Sequence, residues 1–173
     1  MSTTIIVVFA LFFVLRLSTL FISIKNEKRL KQSGAQEYGK LNSAILAILH
    51  FIFYVSAFSE GYIDDVQFSR VTIFGIILYL FSMAALFYVI RQLSPIWTVK
   101  LIIAKDHQIN KSSLFKYIRH PNYFLNIIPE LIGLALVMES YISLLVISPA
   151  YLVSLTVRIV QEEKIMRSNF LEY

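Results

Sequence analysis

The chain has 173 residues, of which 57% are apolar and only 16% charged, against about 25% charged in an ordinary soluble domain. With a mean hydropathy of +0.68 and its apolar residues in long runs, it is not a water-soluble globule but a chain that crosses a bilayer several times. The absence of cysteine excludes disulfides, thiolate catalysis and Cys-based metal sites, and the net charge of +5 reports loop topology rather than nucleic-acid binding.

The first apolar run covers residues 4–24 and is broken only by Arg16. It lacks the basic leader and small-residue cleavage site of a signal peptide and reads as a retained helix. The second run covers 42–58, with His50 inside it, and the third covers 71–90 without a charge. Runs over 123–138 and 141–157 follow, separated by Glu139 and Ser140. Both are short for a hydrocarbon core of ~30 Å, which takes about 20 helical residues. Helical spacing continues past the last run through 158–167, so that helix is expected to extend into water. The predicted fold is all-α: a polytopic membrane helix bundle with about five transmembrane helices, forming one domain over 1–173.

Loop charge sets the expected orientation. Lys25, Lys28, Arg29, Lys31 and Lys40 lie in the first loop, and Arg91, Lys100, Lys105, Lys111, Lys116 and Arg119 in the third. The second loop carries Glu60, Asp64 and Asp65 without Lys or Arg up to residue 69. The positive-inside rule then puts the first loop, the third loop and the C-terminal segment in the cytosol. The third loop, 91–122, is long and holds Trp97, Phe115 and Tyr117 among its charges, a composition that predicts a folded loop.

Three groups of residues have the types that carry chemistry. Arg158 and Glu162 are four apart and share a helix face, either as a solvated ion pair or as part of a site. Glu163 is adjacent to Glu162, so the two carboxylates are expected to point to different sides and to serve different jobs. Tyr123, Asn126 and Glu130 form one stripe at i, i+3 and i+7, with Pro129 between the last two as a kink or a freed carbonyl. A charge inside an apolar run costs about 2.5–3.5 kcal/mol and faces the bundle interior or a wet cavity. Arg16 is either the partner of Glu130 or a snorkelling cation. Finally, Arg119 and His120 precede Pro121, which suits the first turn of a helix. A helix N-terminus with two basic residues suits a carboxylate or phosphate, either a ligand or a lipid headgroup. His50 and His107 have no metal-like spacing, and no metal is expected.

The sequence His107-Gln108-Ile109-Asn110, Phe115, Tyr117-Ile-Arg119-His120-Pro121-Asn122-Tyr123, followed after a hairpin by Arg158-Ile-Val-Gln-Glu162-Glu163, resembles the isoprenylcysteine carboxyl methyltransferase family and the wider phospholipid methyltransferase-like group. The resemblance covers roughly residues 90–167. It implies S-adenosylmethionine as the cofactor in a cytosol-facing pocket. Three N-terminal helices over 1–90 would then be followed, over 91–173, by a cofactor-binding loop, the hairpin and the C-terminal helix. His107, Gln108, Ile109, Asn110, Phe115, Tyr117, Arg119, His120, Pro121, Asn122, Tyr123 and Glu162 would bind the cofactor. Arg158 would orient the acceptor, with Asn126 and Glu130 beside it, and Arg158 and Glu163 would be catalytic. The acceptor would be an amphipathic or prenylated molecule, with a carboxylate favoured over a hydroxyl or amine. A carboxylate needs no general base; the others would lose a proton to His120, Glu163 or Glu130. Three positions depart from the family pattern: Phe115 for Tyr, Leu125 for Gly after the Tyr, and Ser112-Ser113-Leu114 for a Ser-Gly pair. The competing readings are an NADPH-dependent sterol-type reductase and a non-catalytic membrane adaptor on the same scaffold. The only other partners expected are membrane lipids.

Overall fold

The computed structural model describes residues 1–103 and 113–169. Helix α1 spans Thr3–Gln32, α2 Lys40–Ile63, α3 Arg70–Leu93 and α6 Tyr141–Asn169. These four are the helices long and apolar enough to cross a membrane among the described residues. Between α3 and α6 come a short helix α4 (Ser113–Tyr117), a π-helical segment (Asn122–Ile127) and α5 (Ile128–Met138). The π segment and α5 form one shorter apolar rod, Asn122–Met138, about 25 Å long at 1.5 Å per residue. The molecule is therefore the expected all-α polytopic bundle. Helix α6 does continue well beyond 157.

The π segment has a local cause. Ile128 donates its backbone N–H to Tyr123 O, five residues back, instead of closing an ordinary α turn. Pro129 follows immediately and has no N–H to continue an α ladder. The wide turn carries the chain past the proline without breaking the rod.

Helix α5 packs along α3 with the backbones in near contact. A Cβ added at Gly75 would lie 2.8 Å from Gly133 O, and one at Gly133 would lie 2.8 Å from Tyr79 N. Small residues at such a crossing let membrane helices gain dispersion contact where lipid offers no hydrophobic drive. Phe12 of α1 stacks on Tyr79 of α3, with ring centroids 3.6 Å apart and planes within 4°.

The two ends of the bundle are tied differently. At one end, Glu60 accepts the Ile142 N–H (2.9 Å), the Ser143 N–H (2.7 Å) and the Ser143 hydroxyl (2.6 Å), which caps the start of α6. Ser69 caps α3 through a capping box with Thr72 and also donates to Glu139 at 3.2 Å. The Met1 ammonium pairs with Asp65 there. The opposite end collects the basic loops. Strands β1 (Gln36–Tyr38) and β2 (Leu101–Ile103) pair antiparallel, Gln36 opposite Ile103 and Tyr38 opposite Leu101. This pair was not expected, because three-residue strands are too short to show a period-two pattern.

Candidate functional site

Arg158 and Glu162 lie one turn apart on α6, and the turn between them faces the π segment. Arg158 is buried, with 4% exposure, so it is not a solvated ion-pair member. Its Nη1 donates to Ser43 Oγ of α2 at 2.6 Å and its Nη2 to Val99 O at 3.0 Å. Its Nε donates to the Tyr123 hydroxyl at 3.4 Å. That hydroxyl in turn donates to Glu162 Oε2. Arg158 and Glu162 are thus joined through Tyr123.

His120 sits between the two carboxylates of α6. Its Nε2 is 3.4 Å from Glu163 Oε1 and its Nδ1 is 3.5 Å from Glu162 Oε1. The Nδ1 contact is an ion contact without hydrogen-bond alignment. Glu162 and Glu163 thus share His120, while Glu162 alone meets Tyr123 and Glu163 alone meets Arg167. Their backbones do diverge, but each side chain is long enough to reach one edge of the same imidazole. Burial of His120 opposes its charge, yet the two carboxylates outweigh burial and raise its pKa above the ordinary 6.5. The His120 ring also stacks near Tyr123, centroids 5.6 Å apart and planes within 21°.

These groups open on a cavity of about 220 Å³. Of the sequence-predicted residues, Phe115, Arg119, His120, Pro121, Asn122, Tyr123, Arg158 and Glu162 line it. Asn122 Oδ1 is buried there without a hydrogen-bond partner. Glu163 reaches it only through His120. Tyr117 does not line it: the side chain is 83% exposed, turned away on the short helix α4. His107, Gln108, Ile109 and Asn110 lie outside the described residues. Sequence reasoning missed the opposite wall, built from Val89 and Leu93 of α3 and from Trp97, Val99 and Lys100 of the following segment. Trp97 was the available signal, as a buried-type aromatic in a basic loop.

Asn126 and Glu130 are not in the lining. From Tyr123 to Glu130 the chain climbs roughly 10 Å along the rod, away from the cavity. Glu130 is fully buried and ends in its own cluster. Tyr54 donates to it at 2.7 Å, and Asn126 at 3.4 Å. Arg16 Nη1 and His50 Nε2 lie 3.4 and 3.3 Å away. Arg16 is therefore its partner, not a snorkelling residue. Tyr54 also meets the Tyr79 hydroxyl at 2.9 Å, and His50 Nδ1 meets that of Tyr151 at 3.1 Å. The carboxylate thus meets side chains of α1, α2 and the π segment directly, and reaches α3 and α6 through Tyr54 and His50.

Comparison with known proteins gives this arrangement a family. The model of the isoprenylcysteine carboxyl methyltransferase (ICMT) family matches residues 75–168. The chain belongs to that family. The match begins inside α3, ends inside α6 and contains every residue lining the cavity. An uncharacterized protein of Haemophilus influenzae is 49% identical over 164 residues, 95% of each chain. The uncharacterized protein YpbQ of Bacillus subtilis is 25% identical over 159 residues, covering 91% of this chain and 94% of its own. No solved structure matches. Family membership and the apolar helices together make the chain an integral membrane protein of a methyltransferase family.

Proposed function

We propose that the protein transfers a methyl group from S-adenosylmethionine to an amphipathic acceptor at the membrane surface. One observation carries the reading: the partly exposed Glu162 carboxylate lies in a single cavity that Trp97, His120, Asn122 and Tyr123 also line. That donor set fits the cofactor. Its ammonium needs an anion and further acceptors, its sulfonium suits aromatic faces, and its adenine suits stacking. When bound, the cofactor supplies an electrophilic methyl group. Glu162 and Asn122 hold the ammonium, and Arg119 at the cavity wall faces the carboxylate. Phe115 and Pro121 line the cavity beside them, and His107, Gln108, Ile109 and Asn110 are proposed as further cofactor contacts on their match to the family motif alone.

Arg158 has three of its five N–H donors engaged by Ser43, Val99 and Tyr123. Its remaining donors orient the acceptor, and a carboxylate suits them best. Where the acceptor is a hydroxyl or amine, Glu163 takes its proton, relayed across His120. Alignment of nucleophile, methyl and sulfur then supplies most of the rate. The acceptor is lipid-like: beside four helices apolar enough to cross a membrane, an alkyl or prenyl tail would stay in the bilayer while its polar head enters the cavity.

The decisive experiment is binding of labelled S-adenosylmethionine to detergent-purified protein, with NADPH as competitor. Saturable binding that NADPH does not displace is expected. Displacement by NADPH would support a reductase, and a folded protein that binds neither would support an adaptor.

The cavity end is proposed to face the cytosol, on the loop charges. The chain has no cysteine, so single cysteines report cleanly. Gln67→Cys and Lys164→Cys, both at exposed positions, are expected to react with a membrane-impermeant maleimide from opposite sides, Gln67→Cys from outside. Labelling of Lys164→Cys in intact cells would reverse the orientation.

A further inference from the structure

The C-terminal end of α1 grips the cavity wall that the sequence left unassigned. Ser23 Oγ accepts the Val99 N–H at 2.9 Å. Asn26 Nδ2 donates to Trp97 O at 2.9 Å. Arg29 Nη2 donates to Pro95 O. Residues 23, 26 and 29 fall on successive turns of one helix, and 95, 97 and 99 alternate along one stretch of chain. Three backbone groups of this stretch, the Pro95 and Trp97 carbonyls and the Val99 N–H, therefore find their partners on α1. Ser23 and Asn26 are buried polar side chains on an apolar helix, 2% and 9% exposed. Burying such groups is costly unless they are bonded, and the wall is what they bond. A second attachment lies alongside. Lys100, also in the wall, pairs with Glu27 of α1 at 2.7 Å, and β2 continues from it onto β1.

The Val99 peptide is held from both sides. Its N–H goes to Ser23 of α1 and its carbonyl to Arg158 of α6. Moving α1 would thus shift Trp97 and Arg158 together. The gripping residues lie outside the segment matched by the family model, whereas all the lining residues lie inside it.

We propose that Ser23, Asn26 and Arg29 are positioning residues, with the end of α1 acting as a template that fixes the Trp97–Val99 wall and sets affinity in the cavity. The affinity part rests on the reading that the cavity takes S-adenosylmethionine. The positional part does not, because Trp97 is the only tryptophan and reports the wall by its own emission.

The test uses the full-length protein in detergent and reads Trp97 emission, its quenching by iodide, the thermal midpoint and S-adenosylmethionine affinity. In Asn26→Leu and Ser23→Ala the emission is expected to move to longer wavelength and quenching to rise. Affinity is expected to fall by about tenfold, the worth of one buried hydrogen bond. Ser23→Thr, which keeps the hydroxyl acceptor, is expected to restore both relative to Ser23→Ala. Glu60→Gln weakens the α6 cap at the opposite end; it should lower the midpoint while leaving Trp97 emission and affinity unchanged. Unchanged Trp97 emission in both α1 variants would overturn the proposal, as would an equal shift in Glu60→Gln. If the unaltered protein binds no S-adenosylmethionine, the cofactor reading falls, and the Trp97 spectra alone decide the positioning role.

Discussion

Glu162→Gln is expected to lose about ten- to a hundredfold in S-adenosylmethionine affinity, the range for removing a charged partner from a hydrogen bond to a charged group. The substitution keeps the size of the side chain. It removes the anion that faces the cavity, next to His120 and Tyr123. Glu163→Gln is expected to cost much less affinity, because Glu163 meets the other edge of His120 and is partly engaged by Arg167 at 3.1 Å. Equilibrium binding on both variants checks this. Equal affinity losses would make the two carboxylates a shared charge reservoir. An unchanged Glu162→Gln would take Glu162 out of the cofactor site.

Glu130→Leu is expected to destabilise the folded protein by about 3–5 kcal/mol, since it leaves a buried cation without its anion. Arg16 and His50 both lose their contact with the carboxylate, and the Tyr54 hydroxyl keeps only Tyr79. The double variant Arg16→Leu, Glu130→Leu is expected to recover most of the loss, because removing both members of a buried pair is often near neutral. Unfolding in mixed micelles, read as a double-mutant cycle, separates the pair term from the rest. A Glu130→Leu variant as stable as the parent would show that the cluster contributes nothing net to the bundle.

The two clusters differ in how far the sequence disclosed them. Apolar runs located all the long helices, because a bilayer demands continuous apolar length and leaves little alternative. Arg158, Glu162, His120 and Tyr123 were legible as site candidates through their motif, yet their connections were not. That Tyr123 sits between Arg158 and Glu162, and His120 between Glu162 and Glu163, depends on how α6 meets the π segment. Periodicity within either segment says nothing about that contact. Glu130 was recognisable as a costly charge, and pairing with it was one of the two roles offered for Arg16. His50 and Tyr54 could not be chosen from sequence, since α2 supplies them from a distant part of the chain. The wall at 96–100 was the least legible. Its residues are mostly apolar, the strand that follows it is three residues long, and its carbonyl and N–H groups are held by α1 from far away in the chain.

The π turn at Asn122–Ile127 gives the rod one more residue than an α-helix of the same height needs. Each added residue turns a helix by roughly 100°. The surplus therefore sets the angular offset between Tyr123, which serves the cavity, and Glu130, which serves the bundle. With an even α pitch, residues 123 and 130 would lie within roughly 20° of each other on one stripe, and both would face the same neighbour. The widened turn decouples the two requirements, so that the fixed lower part of the rod and the chemistry at its tip are phased separately within a single helix.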